Sequence, residues 1–154
     1  MSRIAIDISD QQSQLAVQFS RLRDVIERVL REEGIASAEI SLALVDDAMI
    51  HRVNRDHLGH DYPTDVISFV LGESLEDSPE RHLDGELVVS TETAVREAPK
   101  HGWNAEDELL LYVVHGILHL CGYDDLTDEA RPVMRDRERQ VLAAWKLTPT
   151  GLEA

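Results

Sequence analysis

Two histidines four residues apart, His115 and His119, lie in the almost wholly apolar segment Leu109 to Leu120. Residues four apart on an α-helix differ by only about 40° in direction and about 6 Å along the axis, so both imidazoles project from one face. An H-x-x-x-H pair also arises by chance in a chain with seven histidines. Imidazoles in an apolar helix need polar partners, however. The spacing therefore predicts either a pair of metal ligands or a pair of hydrogen-bonded core histidines.

The residues that follow the helix favour the metal. Gly122 lets the chain leave the helix in a left-handed conformation, which turns it so that Asp125 can fold back toward the imidazoles. H-x-x-x-H-x-x-G-x-x-D then supplies two nitrogens and one carboxylate oxygen, a set suited to one Zn²⁺ with a fourth position open to water. The alternative is that Asp125 caps the next helix. Cys121 lies about 200° around the helix from His119, so we expect a packed thiol rather than a ligand.

A metal with three protein ligands points to hydrolysis, because it lowers the pKa of a water and polarises a carbonyl or phosphoryl oxygen. Two other interpretations share the same helix. Zinc peptidases use a similar spacing, but Gly116 occupies the position of their glutamate base. A non-catalytic assembly factor could use the metal only to fasten the helix to the following turn.

Hydrophobic periodicity predicts the elements that position these residues. Strands are expected over Arg3 to Ile8, Glu39 to Val45, Thr64 to Leu71 and Gly85 to Ser90. Helices are expected over Gln12 to Glu33, Asp46 or Asp47 to His57, Thr91 to Pro99, Asn104 to Cys121 and Thr127 to Trp145, the last starting near Thr127 only if Pro132 sits in its first turn. Residues Gly72 to Asp84 are expected to form a loop. The pattern predicts an α+β fold with a single four-stranded mixed sheet, about five helices packed on it, and the metal-binding helix in the C-terminal half.

Composition limits the class of protein. The 154 residues suit one domain, expected to be a metal-dependent hydrolase domain over 1–154. No run is apolar enough to span a bilayer, no secretory signal is recognisable, and the single cysteine fits a reducing cytoplasm. A net charge of −15 counts against simple nucleic-acid binding unless basic residues cluster locally or a cation occupies the site.

Three motifs together carry a family resemblance. HGILHLCGYDD, PTDVISF (Pro63 to Phe69) and GELVVS (Gly85 to Ser90) resemble the bacterial YbeY endoribonuclease family over about Leu42 to Leu142. The resemblance implies a cytoplasmic, zinc-dependent, single-strand-specific endoribonuclease that acts in 16S rRNA 3′-end maturation and ribosome quality control. It also implies rRNA within the ribosome or small subunit as partner, and we expect a ribosomal protein to help target so acidic a chain.

The resemblance assigns metal binding residue by residue. The family's first two histidine ligands fall on His115 and His119, and its third ligand, commonly a histidine, falls on Asp125. A carboxylate is a harder ligand than imidazole and admits Mn²⁺ or Mg²⁺ more readily. An arginine that the family often carries before the PTDV-type segment is Leu58 here.

Four residues near that segment are expected to line the cleft or contact substrate: Asn54, Thr64, Asp65 and Ser68. For Thr64 and Asp65 the alternative is that they satisfy backbone groups of a turn. Three arginines at four-residue spacing, Arg131, Arg135 and Arg139, could meet phosphate, although solvated ion pairs with acidic neighbours are the expected role.

Overall fold

The computed structural model describes residues 3–73 and 80–148, which form one four-stranded sheet with five α-helices. The strands are β1 (Arg3–Asp10), β2 (Ile35–Val45), β3 (Val66–Glu73) and β4 (Arg81–Ser90). The helices are α1 (Phe19–Glu32), α2 (Asp47–Leu58), α3 (Thr91–Glu97), α4 (Ala105–Leu120) and α5 (Ala130–Ala143), with a 3₁₀ turn at Ala98–His101. The α+β prediction is confirmed. No helix among these residues combines the length and the apolar composition needed to cross a bilayer.

The sheet is mixed, in the order β1-β2-β4-β3. β1 and β4 both run parallel to β2, and β3 runs antiparallel to β4. Alternate residues of the two central strands, such as Leu42 and Leu87, are buried on one face in the main core with α1 and α4. On the opposite face, Ile67 and Val88 pack in a second core with Ile50 of α2. The sheet is therefore covered on both faces, and α4 belongs to the larger core.

The α4 helix is held rigidly against the sheet. Asn104 caps its first turn by accepting a hydrogen bond from the backbone N–H of Asp107 at 2.9 Å. A Cβ on Gly116 would lie 2.8 Å from Cδ2 of Leu87, so a larger residue here would force the buried Leu87 side chain to shift. The helix that carries both histidines is thus fixed by packing.

The first helix begins later than its apolar pattern predicts. The prediction of helix from Gln12 was wrong, because α1 starts at Phe19. The Gln12 side chain instead accepts hydrogen bonds from the backbone N–H groups of Gln14 and Leu15. Such a side-chain turn competes locally with the helix, while Leu15 still packs against the core.

Two other boundaries also differ. The expected loop over 72–84 is shorter, because β3 continues to Glu73 and β4 begins at Arg81; residues 74–79 lie outside the described parts of the chain. The last helix starts at Ala130 rather than Thr127, and Pro132 lies in its first turn, where a missing N–H removes no intrahelical bond.

Candidate metal centre

The structure brings His115, His119 and Asp125 together. One potential ligand atom from each lies within 4.8 Å of the others, and within the described residues this is the one histidine, cysteine or carboxylate cluster with that property. The two Nε2 atoms are 3.1 Å apart. Each lies 3.5 Å from an oxygen of Asp125, Oδ2 for His115 and Oδ1 for His119. Both histidines come from successive turns of α4, and Gly122, with φ of +107°, returns the chain toward them.

The other ring nitrogen of each histidine has its own acceptor. Nδ1 of His119 donates to the backbone carbonyl of Tyr123 at 3.0 Å. Nδ1 of His115 lies 3.4 Å from Oε2 of Glu138, whose side chain is fully buried on α5. Because a carbonyl and a carboxylate only accept, a neutral imidazole at either position carries its proton on Nδ1 and presents its lone pair at Nε2.

The three groups fit a small divalent cation. A tetrahedral site with metal–ligand distances of 2.0–2.1 Å has edges of about 3.3–3.4 Å between ligand atoms. The Nε2–Nε2 separation of 3.1 Å is close to that size, as is the 3.5 Å from each Nε2 to its nearer Asp125 oxygen, Oδ2 for His115 and Oδ1 for His119. Two Nε2 lone pairs and a carboxylate also repel one another unless a cation lies between them. The donor set therefore fits a metal with two nitrogen ligands and one oxygen ligand.

Electrostatics keeps His119 available as a ligand. Burial lowers the pKa of His119, and the neighbouring His115 lowers it further, against the opposing effect of Asp125. A neutral imidazole is the form that binds metal. Cys121, by contrast, is the packed thiol that the sequence predicts, and burial raises its pKa to about 12.

A cleft of about 940 Å³ opens beside this centre. His115 and Asp125 line it at the α5 end, together with residues of the β3 approach, α3, the 3₁₀ turn and α4. Glu108, on the same face of α4 two turns before His115, accepts hydrogen bonds from His101 at 2.6 Å and from Trp103 at 2.8 Å. Two of the three candidate ligands, His115 and Asp125, thus face a space large enough for a polymer segment rather than a closed core cavity.

The residues expected near the cleft divide into two pairs. Thr64 and Asp65 line it, and Asp65 also accepts a hydrogen bond from the backbone N–H of Val66 at 2.8 Å, so the turn role holds as well. Asn54 and Ser68 are not among the lining residues that the structure describes. Asn54 is buried and donates to the Tyr62 carbonyl, and Ser68 pairs with Leu87 inside the sheet.

The arginines of α5 form ion pairs, and two of them also line the cleft. Arg131 pairs with Asp128 and Arg139 with Asp136, each at 3.2 Å, as the ion-pair interpretation predicts. Arg131 and Arg135 nevertheless also line the cleft. Leu58 ends α2 and is 46% exposed.

Sequence reasoning missed Glu138, which holds His115. Its acidic and basic neighbours on α5 make it resemble a solvated charge. A signal was present, since Met134, Glu138 and Val141 follow one another at helical spacing and all three are buried.

The chain is similar to known proteins in sequence and in fold. The model of a protein family described as "Endoribonuclease YbeY" matches residues 7–146. A protein named Endoribonuclease YbeY from Pelotomaculum thermopropionicum is 40% identical over 147 residues, covering 92% of this chain and 97% of that protein. One of the same name from Bacillus cereus is 34% identical over 152 residues, covering 94% and 97%. A Thermotoga maritima protein with a known solution structure aligns at a TM-score of 0.59 and 26% identity, covering 96% of this chain and 99% of that one.

Proposed function

Because the chain belongs to the YbeY endoribonuclease family, we propose that it is a zinc-dependent endoribonuclease that cleaves single-stranded RNA. Its role is 16S rRNA 3′-end maturation and ribosome quality control, and residues 1–154 act as one hydrolase domain. The observation that carries the proposal is the convergence of His115, His119 and Asp125, two of which, His115 and Asp125, line one end of an open cleft.

The ligand set supports one zinc ion. Zinc favours four-coordinate sites with nitrogen and oxygen donors, and catalytic zinc sites keep one position for water or substrate. A divalent ion there supplies a Lewis acid that lowers the pKa of water and offsets negative charge on a phosphoryl oxygen. Asp125 makes the centre one charge unit less positive than three histidines would, and it leaves Mn²⁺ as a competing ion.

The surrounding side chains prepare the ligands. Glu138 and the Tyr123 carbonyl fix the ring orientation and tautomer of the two histidines, as acceptors behind metal-binding histidines commonly do. Arg135 donates to both oxygens of Glu138, at 2.9 and 3.1 Å, so the buried carboxylate does not repel an approaching phosphate. These contacts leave the two Nε2 atoms 3.1 Å apart and both next to Asp125.

The peptidase alternative lacks the glutamate that serves as general base in such enzymes. Gly116 packs against Leu87 and Val66 of the sheet, where a Cβ would already lie within 3.1 Å of either side chain. A glutamate at this position would point into the sheet rather than at the ligands.

Targeting completes the proposal. With a net charge of −15 the chain should bind free RNA weakly, so the ribosome or small subunit, through a ribosomal protein, delivers the rRNA.

The test couples metal content to cleavage. Wild type, His115→Ala and Asp125→Ala should be assayed for bound zinc and for cutting rRNA with an immature 3′ end, alone and with small subunits. His51→Ala is the control, because His51 is partly exposed on α2 and pairs with Asp61. We expect one zinc per wild-type and control chain, with zinc and cleavage lost together in the other variants while circular dichroism is unchanged.

Two results would count against the proposal. Cleavage by a zinc-free variant would remove the metal centre from the reaction. A wild type that binds zinc but leaves rRNA intact even with small subunits would instead favour the assembly-factor role.

A further inference from the structure

The two ends of the cleft differ in charge. Among the residues that line the α5 end, Arg131 and Arg135 balance Asp125 and Glu138, so the divalent ion required by the proposed function makes this lining more positive than that of the opposite end. This occurs in a chain whose net charge is −15. Phosphates should therefore collect at the metal end of the cleft.

The opposite end carries more negative charge than positive. Its lining holds Asp65, Glu97 and Glu108 against Arg96 and Lys100. Both cations are engaged, Lys100 with Glu97 at 2.5 Å and Arg96 with a carboxylate of α2 at 2.9 Å. This end lies about 10 Å along α4 from His115, the rise of seven helical residues. It is the weaker place for a phosphate.

The two arginines at the metal end are not equally available. Arg135 is bound to Glu138, which is fully buried, and breaking that pair would strand a charge away from water. Arg131 is 45% exposed, and among the described residues its guanidinium pairs with Asp128 alone, which is 95% exposed. Exposed pairs of this kind contribute little, so Arg131 can exchange Asp128 for a phosphate at small cost.

Building on the proposed function, we propose that Arg131 is a substrate-positioning residue that holds a phosphate of the single-stranded RNA next to the metal centre. Arginine suits this role because its planar guanidinium donates two hydrogen bonds to one phosphate. The contact reads the backbone and not the base, so it sets affinity and register without sequence preference.

Salt dependence tests the contact directly. The probe is a fluorescent single-stranded oligoribonucleotide with 2′-O-methyl sugars, checked by gel to be intact after incubation with zinc-loaded protein. We expect Arg131→Ala to weaken binding on the order of fivefold at low salt, and to flatten the slope of log affinity against log salt by about 0.7, the value of one single-strand phosphate contact. Arg131→Lys should recover most of the slope, because the charge remains.

Arg139→Ala is the matched control. Arg139 lies two turns along α5 and pairs with Asp136 at the same spacing and the same 3.2 Å as Arg131 with Asp128, but it is not among the described lining residues of the cleft. Its removal should leave the slope unchanged. Equal slopes for the two alanine variants, or no measurable binding by wild type at low salt, would overturn the proposal.

The outcome separates this contact from the nuclease itself. If wild type cuts rRNA but Arg131→Ala and Arg139→Ala bind the oligoribonucleotide with equal salt slopes, the Arg131 contact fails and the proposed function stands. If only Arg131→Ala flattens the slope while wild type cuts no RNA, the phosphate contact stands and the nuclease proposal fails.

Discussion

Replacing Glu138 with glutamine tests whether the carboxylate behind His115 tunes the metal centre. Glutamine keeps the volume of the side chain but removes its charge, which now faces Nδ1 of His115 at 3.4 Å. The substitution also weakens the ion pair between Arg135 and residue 138. The substitution should therefore act on the metal and on the fold separately, and the two effects can be measured apart.

The expected sizes follow from the geometry. Changes behind a metal-binding histidine cost about 10–100-fold in metal affinity. The contact is long for a hydrogen bond, so we expect the lower end, about tenfold, or about 1.4 kcal/mol of metal-dependent stabilisation. The metal-free protein should lose about 1–2 kcal/mol, less than for a fully buried pair, because Arg135 is 27% exposed and can turn to water.

Urea unfolding of wild type and Glu138→Gln, each with chelator and with a fixed excess of zinc, gives both terms. The decisive quantity is how much more free energy of unfolding the Glu138→Gln substitution costs in zinc than in chelator, about 1.4 kcal/mol. Glu108→Gln is the control, since Glu108 is also buried in the cleft wall and also accepts from a histidine, His101, that is not one of the three candidate ligands. An equal loss with and without zinc in Glu138→Gln would refute the argument, as would an equally large zinc-dependent loss in Glu108→Gln.

Three further substitutions test the candidate metal ligand Asp125, the turn at Gly122 and the contact between α2 and α3 at Asp47. Asp125→His should raise the ratio of zinc to manganese affinity about tenfold or more in competition titrations, because imidazole is the softer ligand; an unchanged ratio would contradict this. Gly122→Ala should lower the free energy of unfolding in urea by about 1–2 kcal/mol, since φ of +107° strains any other residue although no atom lies within 4 Å of the new Cβ. Burial raises the pKa of Asp47, but hydrogen bonds from two hydroxyls and from Arg96 outweigh it and hold that pKa below the usual range of an aspartate. The carboxylate therefore stabilises the fold above the usual aspartate pKa. The loss in free energy of unfolding caused by Asp47→Asn, about 2 kcal/mol at neutral pH, should shrink on acidification below that range in pH-dependent unfolding.

The strands and most helices followed from local patterns, because their signals are local. Asn104 caps α4 and Asp46 caps α2, each within three residues of the N–H that it accepts from. The start of α1 did not follow, since Leu15 fits the helical stripe yet reaches the core from a turn made by Gln12. Periodicity reports which side chains are buried, not which backbone conformation buries them.

The candidate site divides in the same way. The sequence could indicate His115, His119 and Asp125, because all three lie within eleven residues and the helix period relates two of them. It could not assign Glu138 to His115 or Arg131 to the cleft, because both depend on how α5 packs across the end of α4. Long-range packing, and not residue type, selects these residues.

Packing between distant elements also explains how the short segment from His115 to Asp125 keeps its ligand geometry. The Tyr123 carbonyl that orients His119 belongs to a turn whose tyrosine hydroxyl donates to Glu33 at 3.2 Å, just after α1. Arg137 of α5 donates to the same Glu33 carboxylate at 3.0 Å. Because Glu33 holds this turn and is itself held by α5, while α5 also places Glu138 behind His115, the orientation of each imidazole depends on tertiary contacts. A functional site needs this support, since a loose shell of neighbours would let the ligand atoms drift by more than metal coordination tolerates.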